Sequence, residues 1–162
     1  MKFKAKRPIK YAIKLVDWEE NLGLGTELNG GDANHPGDGG FIAKFSDGTV
    51  TNASWKAQIF YIAPLSSVDC VTETGTSRNS SGCPSTSSAG LKSYALHWAI
   101  PSNWFSTDFD FATWPSASLF TESAVGPKNA YSNFSPQFSG ASFIWSSNLI
   151  LDNLVLMRFT GK

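Results

Sequence analysis

Helix signals are nearly missing from this sequence. No window of eleven or more residues sets apolar side chains at i, i+3, i+4 and i+7 with good helix formers between them. That points away from any fold built on helices. Charge is scarce and balanced: thirteen basic and thirteen acidic residues make up 16% of 162. The balance removes the electrostatic ground for a nucleic acid or an anionic membrane as partner. No run of eighteen apolar residues occurs, so no segment is expected to insert through a bilayer as a helix. The basic opening "MKFKAKRPIK" has no apolar stretch behind it and does not read as a signal peptide. If the protein is exported, its signal was removed or lies outside this sequence. A nucleophile elbow G-x-S-x-G, a phosphate-cradling glycine loop and an HExxH zinc motif are all absent, and no enzyme is expected. His35 and His97 are solitary, and His97, within a strand-like run, reads as a packed or half-exposed residue.

What is present is strand pattern, aromatic rings and small polar residues. Aromatics reach 14% beside abundant Ser, Thr, Asn and Gly, the look of an extracellular or cell-surface β-protein. "KYAIKLVDW" alternates, with Tyr11, Ile13 and Leu15 on one side and Lys10, Ala12 and Lys14 on the other. "GFIAKFSDGTV" reads as a strand entering a turn at Asp47-Gly48. "SWKAQIFYIAP" alternates up to Pro64, and "KSYALHWAIP" up to Pro101. "SFIWSS" and "NLVLMRFT" are two further β-rich runs joined by a short link. Residues 29–40 and 66–90 are Gly-, Ser- and Asp-rich connections. The expectation is a basic arm over residues 1–8 and a single all-β domain over 9–162, a β-sandwich or jelly roll with long loops.

Cys70 and Cys83 enclose the polar segment "VTETGTSRNSSG" and make a poor zinc pattern. A disulfide closing that loop would contribute roughly 3 kcal/mol. It would make the long stretch a clamped surface excursion rather than a lid. Three N-x-S/T triplets, at Asn52, Asn79 and Asn133, agree with secretion.

The segments "WFSTDFDFATWPSASLF" and "ASFIWSSNLILDNLVLMRF" resemble the galactose-binding-like jelly-roll superfamily. There a segment D-F-D-x-S/T-x-W-x-x-A precedes a W-I-W-S/T strand and a last strand of V-x-F/L-R-x type. The matching residues are Asp108, Phe109, Asp110, Thr113, Trp114 and Ala117, then Phe143 to Ser146, then Val155 to Phe159. "IKYAIKLVDWEENLGLG" and "GGFIAKFSDGTVTNASWKAQ" are similar to that superfamily's earlier strand, loop and hairpin. In the superfamily, one or more strands precede the segment matching residues 9–18, and here only "MKFKAKRP" does. The resemblance therefore implies either a truncated jelly roll or one whose N-terminal part another polypeptide supplies. A missing strand would expose a sheet edge able to accept a strand in trans, by strand complementation or by self-assembly into a homo-oligomer.

"DFDFATWP" offers two readings, a ligand site of acids beside rings or a structural plug. The plug is preferred: Trp114 enters the core with Phe109 or Phe111, while Asp108 and Asp110 face solvent or cap a turn. As a glycosidase pair, those two acids would stand about 7 Å apart on one side of a strand, with no sign of a cleft.

The aromatic surplus points to a glycan or polysaccharide as partner. Trp18, in "DWEEN" with Glu19 and Asn21, and Trp104, in "PSNWFS" beside Asn103, are loop-edge rings with polar neighbours. Each is read as a sugar-binding ring or, equally, as partly buried packing. Trp55, Trp98 and Trp145 lie inside strand runs, where core or sheet-face positions are expected. No cofactor is required on this reading. A structural calcium is the one candidate, held in "NGGDANHPGDGG" by Asp32, Asn34 and Asp38. Calcium takes about six to eight oxygens, more than this loop supplies without Asp17 or Glu27. The function expected is that of an extracellular, non-catalytic carbohydrate-binding module. The alternative is a self-assembling structural or adhesive building block of the same fold.

Overall fold

The computed structural model describes residues 6–17, 39–84 and 94–161. Its main sheet has four antiparallel strands: β1 (Lys10–Val16), β2 (Lys56–Leu65), β5 (Tyr94–His97) and β8 (Asp152–Thr160), in the order β1-β8-β2-β5. A hairpin of β3 (Thr72–Thr74) and β4 (Ser77–Asn79) and a pair made of β6 (Ser118–Phe120) and β7 (Phe143–Trp145) complete the strands among the described residues. The fold is all-β and antiparallel. Among the described residues the helical pieces are single turns, α1 (Glu122–Val125), α2 (Asn129–Ser132) and two 3₁₀ turns, too short to show as a 3.6-residue period.

β8 and β2 run through the middle of the sheet, so both of their faces are covered. On one face Trp55, Ala57, Val155 and Met157 meet Tyr11, Ile13 and Leu15 of β1. Ala117, Ile144 and Trp145, with Phe41 and Phe45, close over them. Trp55 is the centre: Phe159 stacks on it at 5.0 Å, Phe45 at 6.0 Å, and its indole N–H donates to Val50 O at 3.0 Å.

The opposite face carries Phe60 and Leu156, and the cover there is irregular chain from residues 98–114. Trp114 is buried among them, edge-on to Phe60 at 6.0 Å and to Phe109 at 5.4 Å. The plug reading of "DFDFATWP" therefore holds, although the segment turns instead of forming a strand. Asp110 Oδ1 accepts from Ala112 N at 2.9 Å and Asp108 Oδ1 from the Thr107 hydroxyl at 3.0 Å, each acid shaping its own turn.

Irregular chain on a sheet face must have its backbone carbonyls satisfied. Arg158, 0% exposed, supplies the donors: it gives hydrogen bonds to Trp104 O and, at 2.9 Å, to Ser106 O. Its guanidinium lies over Phe111 at 4.8 Å. Gln58 does the same for the hairpin through Thr76 O at 2.8 Å, and Arg78 of the hairpin donates in return to Ile59 O of β2. Arg78 also lies over Phe60 and Trp98, at 4.9 and 4.4 Å.

Cys70 and Cys83 are bonded, and Cys83 packs with Ile59, Ile62, Leu65 and Leu151. The clamped stretch is thus a hairpin docked on the sheet. One expectation is corrected here: Pro64 does not end β2, which continues to Leu65. Proline has no N–H to give, and the ladder to β5 shifts register between Ile62 and Leu65, stepping over it.

Candidate functional site

The Asp47-Gly48 turn expected from sequence is present, with Gly48 at φ 87° and its N–H on Phe45 O at 3.0 Å. That left-handed conformation suits glycine, and no neighbouring atom crowds the position. Asp47 accepts from the Thr49 backbone N–H at 3.0 Å and from the Thr49 hydroxyl at 3.1 Å. The backbone bond from Thr49 holds the Asp47 carboxyl below its ordinary range, with the Tyr11 hydroxyl a smaller contributor, so the group is firmly ionised. Arg7 comes to the same place from the chain leading into β1.

Between them lies a groove of about 280 Å³ lined by Arg7, Asp47, Thr49, Asn52 and Phe159. Asn52 is oriented by its own turn, its amide oxygen accepting from Ser54 N at 2.9 Å. The groove thus joins an anion, a cation, an amide and a hydroxyl to one aromatic ring. That set suits a small neutral ligand rich in hydroxyls.

A second cleft, of about 370 Å³, sits at the other end of the sheet. Phe120, Val125, Leu149 and Ile150 make it mainly apolar, with Ser81, Ser147 and Asn148 on its walls. Two of those polar residues are already engaged. Buried Asp152 accepts from the hydroxyls of Ser80, Ser146 and Ser147 and from Asn148 N at 2.8 Å. Asn148 Nδ2 donates to Ser80 O at 3.1 Å. This node joins the disulfide loop to the β7–β8 link. Burial raises the Asp152 carboxyl above its ordinary value, and the four hydrogen bonds pull it down without cancelling that effect. Gly39 and Gly40 pass close by: a Cβ on the first would stand 2.6 Å from Trp145 Nε1, and one on the second 2.8 Å from Val125.

Trp18, Glu19 and Asn21 of the expected sugar site, and Asp32, Asn34 and Asp38 of the expected calcium loop, lie outside the described residues. The flanking chain is described. Asp17 N donates to Asn153 O at 2.9 Å and Gly39 N to Leu149 O at 2.7 Å, so these two residues sit on one rim of the fold.

Asn103 is exposed and Trp104 half-buried in the cluster of Phe60, Trp114 and Leu156, with Phe105 edge-on at 6.0 Å. Phe105, 64% exposed, is the open ring of that loop. Trp104 O accepts from Arg158, and Asp17 N donates to Asn153 O. Arg158 and Asn153 stand about 17 Å apart along β8, so Trp104 and Asp17 attach toward different ends of that strand. Trp55 and Trp145 are buried, and Trp98 is half-buried with its indole N–H on Glu73 at 3.2 Å. His97 lies against Tyr61 at 4.8 Å. Among the described residues, no three His, Cys, Asp or Glu side chains group as metal ligands.

Sequence reading missed the groove. Asp47 was legible as a turn residue, but nothing in the chain order tells that Arg7 and Phe159 stand beside it. What the fold defines is the class: an all-β antiparallel protein with a disulfide-clamped hairpin. No family model, curated protein or solved structure matches the chain.

Proposed function

We propose that this chain is an extracellular, non-catalytic carbohydrate-binding module on a galactose-binding-like jelly roll. The observation that carries the reading is the groove of Arg7, Asp47, Thr49, Asn52 and Phe159. Sugar hydroxyls come in neighbouring pairs that need both acceptors and donors, and the C–H face of the ring needs an apolar partner. An ionised Asp47, the Asn52 amide and Arg7 meet the first need, and Phe159 the second. The disulfide is compatible with an oxidising, extracellular setting, and among the described residues no helix is long and apolar enough to cross a membrane.

Binding is weak on this reading. Each hydroxyl exchanges water for protein hydrogen bonds, and only the ring contact adds apolar burial. Dissociation constants of roughly micromolar to millimolar follow, about −8 to −4 kcal/mol. Trp18 with Glu19 and Asn21, and Trp104 with Asn103, are the alternative contact sites, and Asp32, Asn34 and Asp38 the proposed ligands of a structural calcium.

A glycan array followed by calorimetric titration on wild type, Asp47→Asn, Arg7→Ala, Trp18→Ala and Trp104→Ala tests the site. Loss confined to the two groove variants is the expected result. Loss confined to a tryptophan variant moves the site to that loop. No sugar bound at millimolar concentration, with large assemblies by light scattering, would replace the module by a self-assembling extracellular building block. An unchanged melting temperature after chelation would remove the calcium.

A further inference from the structure

β1 closes one side of the main sheet, and no described strand pairs with its outer edge. The direction of its backbone groups follows from two bonds. Asp17 N donates to Asn153 O and Gly161 N to Ile9 O, while the register sets Lys10 opposite Thr160. Hydrogen-bonded pairs alternate along an antiparallel ladder, so the odd residues of β1 face β8. The even residues Lys10, Ala12, Lys14 and Val16 therefore turn four N–H and four C=O groups outward. An edge of seven residues with this many outward groups is a template for one more strand.

The side chains specify what that strand looks like. Tyr11, Ile13 and Leu15 are half-buried on the aromatic face, where an added strand would extend the core. On the other face Lys10 and Lys14 are exposed, with Val16 50% exposed beyond them. Lys10 already donates to Thr107 O, and an ammonium has further donors to offer. A second copy of β1 is a poor occupant. Pairings centred on Lys10, Ala12 or Lys14 set lysine directly opposite lysine, and those centred on Tyr11, Ile13 or Leu15 leave lysines of the two copies as diagonal neighbours.

We propose that the outer edge of β1 binds, by strand addition, an extended segment of another polypeptide that alternates apolar and acidic residues. Its apolar residues lie beside Tyr11, Ile13 and Leu15, and its carboxylates beside Lys10 and Lys14. This inference is independent of the sugar reading, since neither β1 lysine lines the groove.

The probe is a capped peptide alternating valine and glutamate, with a valine–lysine peptide as control. Amide hydrogen exchange reads the parity directly: the amides of Lys10, Ala12, Lys14 and Val16 gain protection, and those of Tyr11, Ile13 and Leu15 do not change. Lys14→Glu should weaken the acidic peptide by about two- to five-fold, the size of one exposed ion pair, and strengthen the basic one. Ala12→Pro removes an outward N–H without touching the bonds to β8 and should abolish binding. Equal binding of the two peptides, or protection without odd–even alternation, would overturn the proposal. So would absence of binding. Protection of the even amides without peptide, rising with protein concentration, would hand the edge to a second copy.

Discussion

The two faces of the central sheet are closed in different ways. On the face around Trp55, strands and the turn at Asp47 bring apolar rings together, and neutral side chains complete the backbone bonds: the Trp55 indole N–H donates to Val50 O and the Thr51 hydroxyl to Ser142 O. On the face around Trp114, irregular chain and a small hairpin supply the cover, and their carbonyls must be met by side chains from the sheet. Arg158 and Gln58 do this, while Arg78 of the hairpin donates back to Ile59 O of the sheet, at the cost of burying polar groups: Arg158 Nε and Gln58 Oε1 are buried without a partner. A mostly strand-built cover needs chiefly hydrophobic matching. An irregular one also needs donors at specified points, and a cation in a dry interior is an expensive donor.

Trp55→Ala and Trp114→Ala test the comparison at its largest effect. Each should cost about 3–5 kcal/mol in chemical denaturation, the usual range for a buried aromatic. A loss below about 1 kcal/mol for Trp114→Ala would mean that the irregular cover peels away without opening the core. A Trp114 variant that kept its stability and lost a ligand would return "DFDFATWP" to the binding reading.

Removing the disulfide comes next. Cys70→Ser with Cys83→Ser should lower stability by roughly 3 kcal/mol through the freed loop. Exchange should rise in the β3–β4 hairpin well before it rises around Trp55. Uniform loss would show that the two faces unfold as one unit. Non-reducing mass spectrometry of the folded protein should show no alkylatable thiol.

Arg158→Met is the sharper test of the polar tie. It leaves the carbonyls of Trp104 and Ser106 without their donor, each about 1–3 kcal/mol if they stay dry. Relief from burying a charge offsets part of this. A net loss near the lower figure is expected, with a shift in tryptophan fluorescence as Trp104 loosens. A more stable variant with unchanged fluorescence would show that packing alone seats the loop.

The smallest effect concerns Asp152. Its folded-state carboxyl lies above the ordinary value of about 3.9. The folded protein therefore holds this proton to higher pH than the unfolded chain. The resulting stability is fully present below the unfolded value and is lost as pH rises through the raised one. Asp152→Asn cannot titrate, so the wild-type-minus-variant difference should fall across that window and then level. A difference independent of pH would remove the effect of burial.

The strand runs were legible because alternation is a local property: "KYAIKLVDW" and "NLVLMRFT" carry their inward faces in their own order, and they pair as β1 and β8. Trp114 was legible as core because a ring between turn residues has few other places to go. The short helical turns and the passage of β2 through Pro64 were not, since both depend on what the neighbouring chain permits.

By itself, then, the sequence determined an all-β chain, a closed cysteine loop and a core made of its aromatic residues. Periodicity, spacing and hydrophobicity act over a few residues, and they survive any arrangement of the strands. Tertiary structure alone decided that Arg158 lies under the 104–106 turn, that Arg7 and Phe159 join Asp47 and Asn52 in one groove, and that Trp104 and Asp17 attach toward opposite ends of β8. Those relations join residues dozens to more than a hundred positions apart. Their distances are set by strand order and register, which no local stretch of sequence contains.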